Sequence, residues 1–359
     1  MLMDPMATAG PEAGPVFPWQ LPLWTQFGEA RRRDRMAHAY LLAGPLGVGK
    51  RILARRIAAS VLCRSPLPDD GACGRCSDCL LLEAETHPDL AVVEPESGKT
   101  QIAIEAVRAL CADLTQTAHQ GGMRVALIVP AEAMTPQSAN SLLKTLEEPH
   151  GRVLLILISD RPLAVLPTLR SRCQRLDCPI PSQDVVRRWL GRERADERRL
   201  LRAFVVSGGA PLHTRLYLDD AQAQRLDRLA QDSRQVITGA ADPLSVAARW
   251  VAEEAPDLMG LWMVRLAEEM ARTGVLGHGP APVLLDLDPR TLQRTLARAD
   301  SEDVLAYVAF ARQARLWLVQ GTAHRQGLVE SLLIPLADGL RAFRLQSPCR
   351  TSPLRETTS

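Results

Sequence analysis

The stretch Gly44-Pro-Leu-Gly47-Val-Gly49-Lys50-Arg51 fits G-x-x-x-x-G-K, the spacing in which a Gly-rich turn and a lysine ammonium cradle phosphates. The next position should offer a Ser or Thr hydroxyl to Mg²⁺. It is Arg51, which cannot ligate a cation. A nucleotide-hydrolysing site also needs a carboxylate pair at the end of a later strand. After Val125-Ala-Leu-Ile-Val129 the chain instead gives Pro130-Ala131, with Glu132 one residue beyond, and a slip of one residue redirects a side chain. Gly44, Gly47, Gly49 and Lys50 therefore leave two readings open: weak ATP binding, or a turn kept only for its geometry. Hydrolysis in cis lacks its metal ligands at both ends.

A second group of residues suits a metal. Cys73-Gly-Arg-Cys76-Ser-Asp-Cys79 stacks two C-x-x-C spacings in a turn-rich stretch, and Cys63 lies ten residues upstream. Four thiolates converging tetrahedrally would bind Zn²⁺ and leave no position for water, so the ion would staple a loop and do no catalysis. A redox C-x-x-C is the rival, and a tandem of three cysteines plus a fourth fits a closed site better. Cys111 reads as a core position on a helix and Cys349 as a bystander in the tail.

These groups need a scaffold. Ala39–Ala43, Leu90–Val93, Val125–Val129 and Val153–Ile158 are short apolar runs, and helical periodicity fills the gaps at 50–63, 102–114 and 138–148. Continuous apolar strands separated by helices predict a parallel sheet covered on both faces. From Pro181 onward strand-like runs nearly vanish. Stretches 185–190, 199–206, 221–230, 244–252, 258–271, 290–299 and 302–319 carry helical spacing, punctuated by Ser207-Gly208-Gly209 and by 274–282. The Pro-, Ser- and Thr-rich segments 1–16 and 346–359 read as flexible.

The chain has 359 residues, of which 46% are hydrophobic and 23% charged, a balance that predicts two or three globular domains. It contains no run of eighteen apolar residues and no greasy basic start, so a cytoplasmic protein without a membrane partner is expected. A formal charge of +2 is too small for a global attraction to nucleic acid. Among 43 basic residues only Lys50, Lys99 and Lys144 are lysines, so a lysine kept in the phosphate loop is more informative than any one arginine. The arginines at 31–33 and 35 read as a solvated helix face rather than a DNA contact. His38, His87, His119, His150, His213, His278 and His324 form no close pair, and His38 is expected to shape the approach to the first strand. Glu147-Glu148-Pro149 reads as a helix terminus. The apolar stripes of the second half, among them Trp250, Trp262, Leu305 and Leu316, are mostly core.

Taken in order, HAYLLAGPLGVGK (38–50), the four-cysteine module, SANSLLKTLEEP (138–149), LLILISD (154–160) and LPTLRSRC (166–173) resemble the bacterial DNA polymerase III clamp loader. The resemblance implies an AAA+-like P-loop domain over 17–178 with a zinc module at 63–79, a helical lid over 179–228 and an all-α collar over 229–345. In that family the motor subunits keep the metal-binding hydroxyl and acidic pair, and the delta-prime branch often loses them, as here. The motors also sense nucleotide with an arginine after a Gly-Ser pair; the matching position here is Pro211. What is kept is Ser171-Arg172-Cys173. The resemblance implies that Arg172 reaches the γ-phosphate of ATP held by a neighbouring motor subunit, an arginine finger worth roughly 10³–10⁵ in rate where one has been measured. The implied partners are gamma/tau motor and delta subunits in a heteropentamer, with the sliding clamp and primer-template DNA reached through the complex. Alternatives are an active clamp-loader ATPase and a zinc-containing nucleic-acid-binding scaffold.

Overall fold

The computed structural model describes residues 16–118, 122–191, 197–253, 255–275, 283–297, 299–341 and 343. The expected flexible end at 1–16, apart from Val16, lies outside these residues, as do the tail at 346–359, His119, His278 and Cys349. The described residues form two compact units, one of 16–191 with Ala210–His213 and one of 197–209 with 214–343.

In the first unit the apolar runs form a five-stranded parallel sheet: β1 (Ala39–Ala43), β2 (Leu90–Val93), β3 (Arg124–Ile128), β4 (Val153–Ser159) and β5 (Gln174–Asp177), in the order β2-β3-β4-β1-β5. Strands β1, β3 and β4 are buried along their whole length, which is why their sequences read as unbroken apolar runs. Successive side chains alternate between two cores. Leu41, Ala126, Ile128, Leu155 and Leu157 face α4 (Ile104–Leu114) and α5 (Pro136–Glu147). Tyr40, Leu42, Leu127, Leu154 and Ile156 face α1 (Leu21–Arg32) and α2 (Lys50–Leu62). The short α3 (Ser77–Glu83) and α6 (Pro167–Arg170) complete the coverage, and α7 (Gln183–Leu190) follows β5. This is the α/β architecture expected of the P-loop domain.

Strand β5 was not predicted. Of its four residues only Leu176 is buried, so an edge strand of polar composition carries no apolar signal. The cysteine stretch also differs from the expected loop, because Cys79 lies inside α3.

The second unit is helical among its described residues. It contains α8 (Glu197–Val206), the end of α9 (Pro211–Tyr217), α10 (Asp220–Ile237), α11 (Pro243–Ala252), α12 (Pro256–Val275), α13 (Pro289–Leu296), α14 (Ser301–Gln320) and α15 (Arg325–Ala337). Asp242, Asp288 and Asp300 cap three of these helices by accepting from Ser245, Thr291 and Asp303 N–H groups. Trp262 and Tyr307 are fully buried at the centre, and Trp250 joins the same core. Trp262 Nε1 donates to Ser233 Oγ at 3.0 Å. Helix α15 was missed by periodicity. Its Leu328, Val329, Leu332, Leu333 and Leu336 are buried and Pro335 lies inside it, a pattern with little polar face to reveal a period.

Candidate functional site

The phosphate loop joins β1 to α2, as its sequence requires, and Gly47 and Gly49 adopt φ of +82° and +84°, a region that favours glycine. What surrounds it is the chain itself. Lys50 is buried, and its ammonium donates to Pro45 O at 2.7 Å and to Asp160 Oδ1 at 2.5 Å. Asp160 directly follows β4, so the charge that would meet a phosphate is already paired. Trp19 Nε1 donates to Val48 O at 2.9 Å, and Gln20 Nε2 to Val48 O at 3.1 Å and Gly49 O at 2.9 Å. The Leu212 N–H donates to Gly47 O at 3.0 Å. Packing is close enough that a Cβ on Gly47 would come 2.8 Å from His213 Nδ1, and one on Gly49 would come 2.9 Å from Gln20 Nε2.

The two metal-holding positions are spent elsewhere. Arg51 forms an ion pair with Glu94, just past β2. Glu132 sits in a turn after β3, where its buried Oε1 accepts from the N–H groups of Asp160 and Arg161, both at 3.1 Å. It therefore caps the end of β4. Pro211, which the resemblance aligns with a nucleotide-sensing arginine, opens α9.

The four cysteines converge. All four Sγ atoms lie within 4.8 Å of one another, with Cys63 to Cys76 and Cys73 to Cys79 both 3.9 Å apart. A tetrahedron with Zn–S bonds of about 2.3 Å has S···S edges of about 3.8 Å, and the two 3.9 Å edges together with the 4.8 Å limit on the others match the donor set of a four-thiolate zinc ion. Cys63 caps the C-terminus of α2 and Cys76 precedes α3, so the cluster ties those two helices together. The backbone N–H of Arg75 helps hold the Cys73 thiol down at about 6, and burial pushes Cys79 up. A divalent cation would offset the cost of keeping the buried thiolates charged. Behind the cluster, Asp78 is buried, accepts from Arg64 Nε at 2.6 Å, and lies 3.5 Å from His87 Nε2.

The Ser171-Arg172-Cys173 segment is the turn between α6 and β5. Arg172 is half exposed. Its Nε donates to Glu147 Oε1 at 2.8 Å, its Nη2 lies 2.5 Å from the same oxygen, and its Nη1 donates to Thr168 O at 3.0 Å. Glu147 is the last residue of α5, so the pair of glutamates read as a helix terminus also supplies the partner of Arg172. Only the linear distance of 25 residues hid this. Cys173 is buried, and burial raises its thiol to about 11, so it brings no negative charge beside Arg172 at neutral pH. Ser171 Oγ turns back to Thr168 O at 3.1 Å. His38 bridges β1 and α5: its ring Nε2 is 2.8 Å from Leu146 O and its carbonyl accepts from Leu155 N–H. Sequence reasoning missed Trp19, Gln20 and Glu94, which stand in no local motif, and it missed the pairing of Glu147 and Asp160, although both lie in the quoted motifs SANSLLKTLEEP and LLILISD.

No described helix is long and apolar enough to cross a membrane. The family described as DNA polymerase III, delta subunit, matches residues 19–181. The delta' subunit of DNA polymerase III from Pseudomonas aeruginosa is 46% identical over 213 residues, 58% of this chain and 64% of that protein. The delta' subunit from Escherichia coli is 34% identical over 196 residues, 54% of this chain and 58% of that protein. The delta' subunit from Bacillus subtilis is 28% identical over 323 residues, 86% of this chain and 93% of that protein. The chain thus spans about three-fifths of the length of the first two relatives. The region 19–181, which holds the phosphate loop, the four cysteines and Arg172, is similar to the DNA polymerase III delta subunit family and to delta' subunits of DNA polymerase III.

Proposed function

We propose that this chain is the stator of a DNA polymerase III clamp loader: a subunit that hydrolyses no ATP itself and lends Arg172 to the ATP site of a neighbouring motor subunit. In this reading it assembles with gamma/tau motor and delta subunits in a heteropentamer. The complex opens the sliding clamp and loads it on primed DNA in the cytoplasm, at replication forks. Residues 179–228 serve as the lid and 229–345 as the collar that joins the ring. Zinc at Cys63, Cys73, Cys76 and Cys79 is structural.

The carrying observation is a contrast within one domain. Lys50, the lysine of the phosphate loop, is buried and paired with Asp160. Arg172 is half exposed and has a side chain of the type that stabilises charge on a transferring phosphoryl group. The rival reading of an active ATPase predicts the reverse: a free lysine and a carboxylate aimed at the loop. Turnover assays separate the two. The isolated chain should show no ATP hydrolysis above background, and the assembled complex carrying Arg172→Ala should lose most of its DNA-stimulated ATPase while still assembling. Robust hydrolysis by the isolated chain defeats the stator reading, and an undiminished rate in the Arg172→Ala complex defeats the finger.

A further inference from the structure

Arg172 stands on a turn after a helix of only four residues, Pro167–Arg170. A free arginine side chain carries about 2 kcal/mol of rotamer entropy, and a group that must meet a transition state works best when that freedom has been removed beforehand. The removal comes from two sides. Glu147 Oε1 takes the Nε and Nη2 edge of the guanidinium and Thr168 O takes Nη1, with Ser171 Oγ at the outer limit of hydrogen bonding, 3.5 Å from Nη1. A guanidinium has five N–H donors, so the hold does not exhaust it, and a terminal N–H is left for an acceptor from outside the chain. The carboxylate also stands on a firmer element than the arginine. Helix α5 is capped by Thr135, which accepts from Ser138 N–H. Its Leu142 and Leu146 are buried, and the Leu146 carbonyl is bonded to His38. The adjacent Glu148 is exposed and makes no side-chain bond among the described residues.

We propose that Glu147 is the positioning residue of Arg172, fixing the plane and reach of the guanidinium before a phosphate from another subunit arrives. This rests on the finger reading above and extends it to a second residue.

The test uses the whole clamp-loader complex assembled with this chain, with DNA-stimulated ATPase as the readout and size-exclusion and melting profiles as controls for assembly and folding. Glu147→Ala should lower kcat about five- to twentyfold, as loss of orientation does, with the KM for ATP within about twofold of the parent. Glu147→Gln, which keeps an acceptor oxygen, should recover part of the loss. Glu148→Ala should be silent. In an Arg172→Ala background, Glu147→Ala should cost nothing further, because a residue that acts only through its partner has no independent effect. An unchanged kcat in Glu147→Ala, or a full additional loss in the double variant, overturns the proposal. If Arg172→Ala is depressed and Glu147→Ala is not, only the positioning role falls. If Arg172→Ala is itself silent, the finger reading falls first.

Discussion

Lys50 Nζ lies 2.5 Å from Asp160 Oδ1, so the residue that most resembles a nucleotide ligand is joined to the far end of the neighbouring strand β4. The pair is asymmetric: the lysine side chain is 3% exposed and the aspartate 32%. The lysine therefore bears most of the desolvation, and the aspartate is what makes its burial tolerable.

Removing the aspartate should leave a buried ammonium with only the Pro45 carbonyl. Asp160→Ala is expected to lower the unfolding free energy by about 1–3 kcal/mol, discounted from a fully buried pair for the partial exposure of Asp160. Urea unfolding followed by circular dichroism measures it, and Lys50→Met/Asp160→Ala should recover part of the loss.

Restoring a hydroxyl at the position after the lysine should not restore a motor. In Arg51→Thr the metal-ligand chemistry returns at one point, but Lys50 remains paired and Glu132 still caps the end of β4. Calorimetric titration with Mg-ATP is expected to give no heat of tight binding, and turnover should stay at background.

The chain should carry about one zinc per molecule by elemental analysis, as a closed four-thiolate site requires. Cys76→Ser should lower that content and the melting temperature together, by about 2–4 °C for each kcal/mol lost in a unit of this size. A metal-free wild-type chain with unchanged stability would remove the metal from the account.

Cys173 and Cys178 are both raised to about 11 by burial. Their folded forms hold the proton through a range where unfolded thiols, near 8.5, have lost it. Stability is therefore fully present below about pH 8.5 and falls as pH rises toward 11, each thiol adding a slope of up to about 1.4 kcal/mol per pH unit. Urea midpoints at pH 8, 9 and 10 should decline, and Cys178→Ala should decline less steeply.

In the helical unit, Trp262→Ala removes a fully buried indole together with its bond to Ser233. A loss of about 3–5 kcal/mol is expected, the usual cost of emptying an aromatic core position. Thermal melts of the full chain should show it.

How much of this was legible depends on sequence distance. The phosphate loop and the cysteine cluster declare themselves because their chemistry needs residues at fixed short spacings, and β1, β3 and β4 do so because full burial demands unbroken apolar runs. Arg172 was found through an ordered set of motifs. Glu147 was read as a helix end because its partner lies 25 positions away, and Asp160 was read only as the last residue of the LLILISD motif though its partner stands 110 positions before it. Trp19 and Gln20 gave no sign that they would cover Val48 and Gly49. Backbone carbonyls accept from any donor the fold brings near, and no residue type announces that in advance.

Helix α2 begins at Lys50 and ends against Cys63, so one rod of thirteen residues, about 20 Å long, has an ion pair fastened at one end and the four-cysteine cluster at the other. Loosening of the cysteine cluster would then slacken the distant turn as well, and the helix would soften along its length.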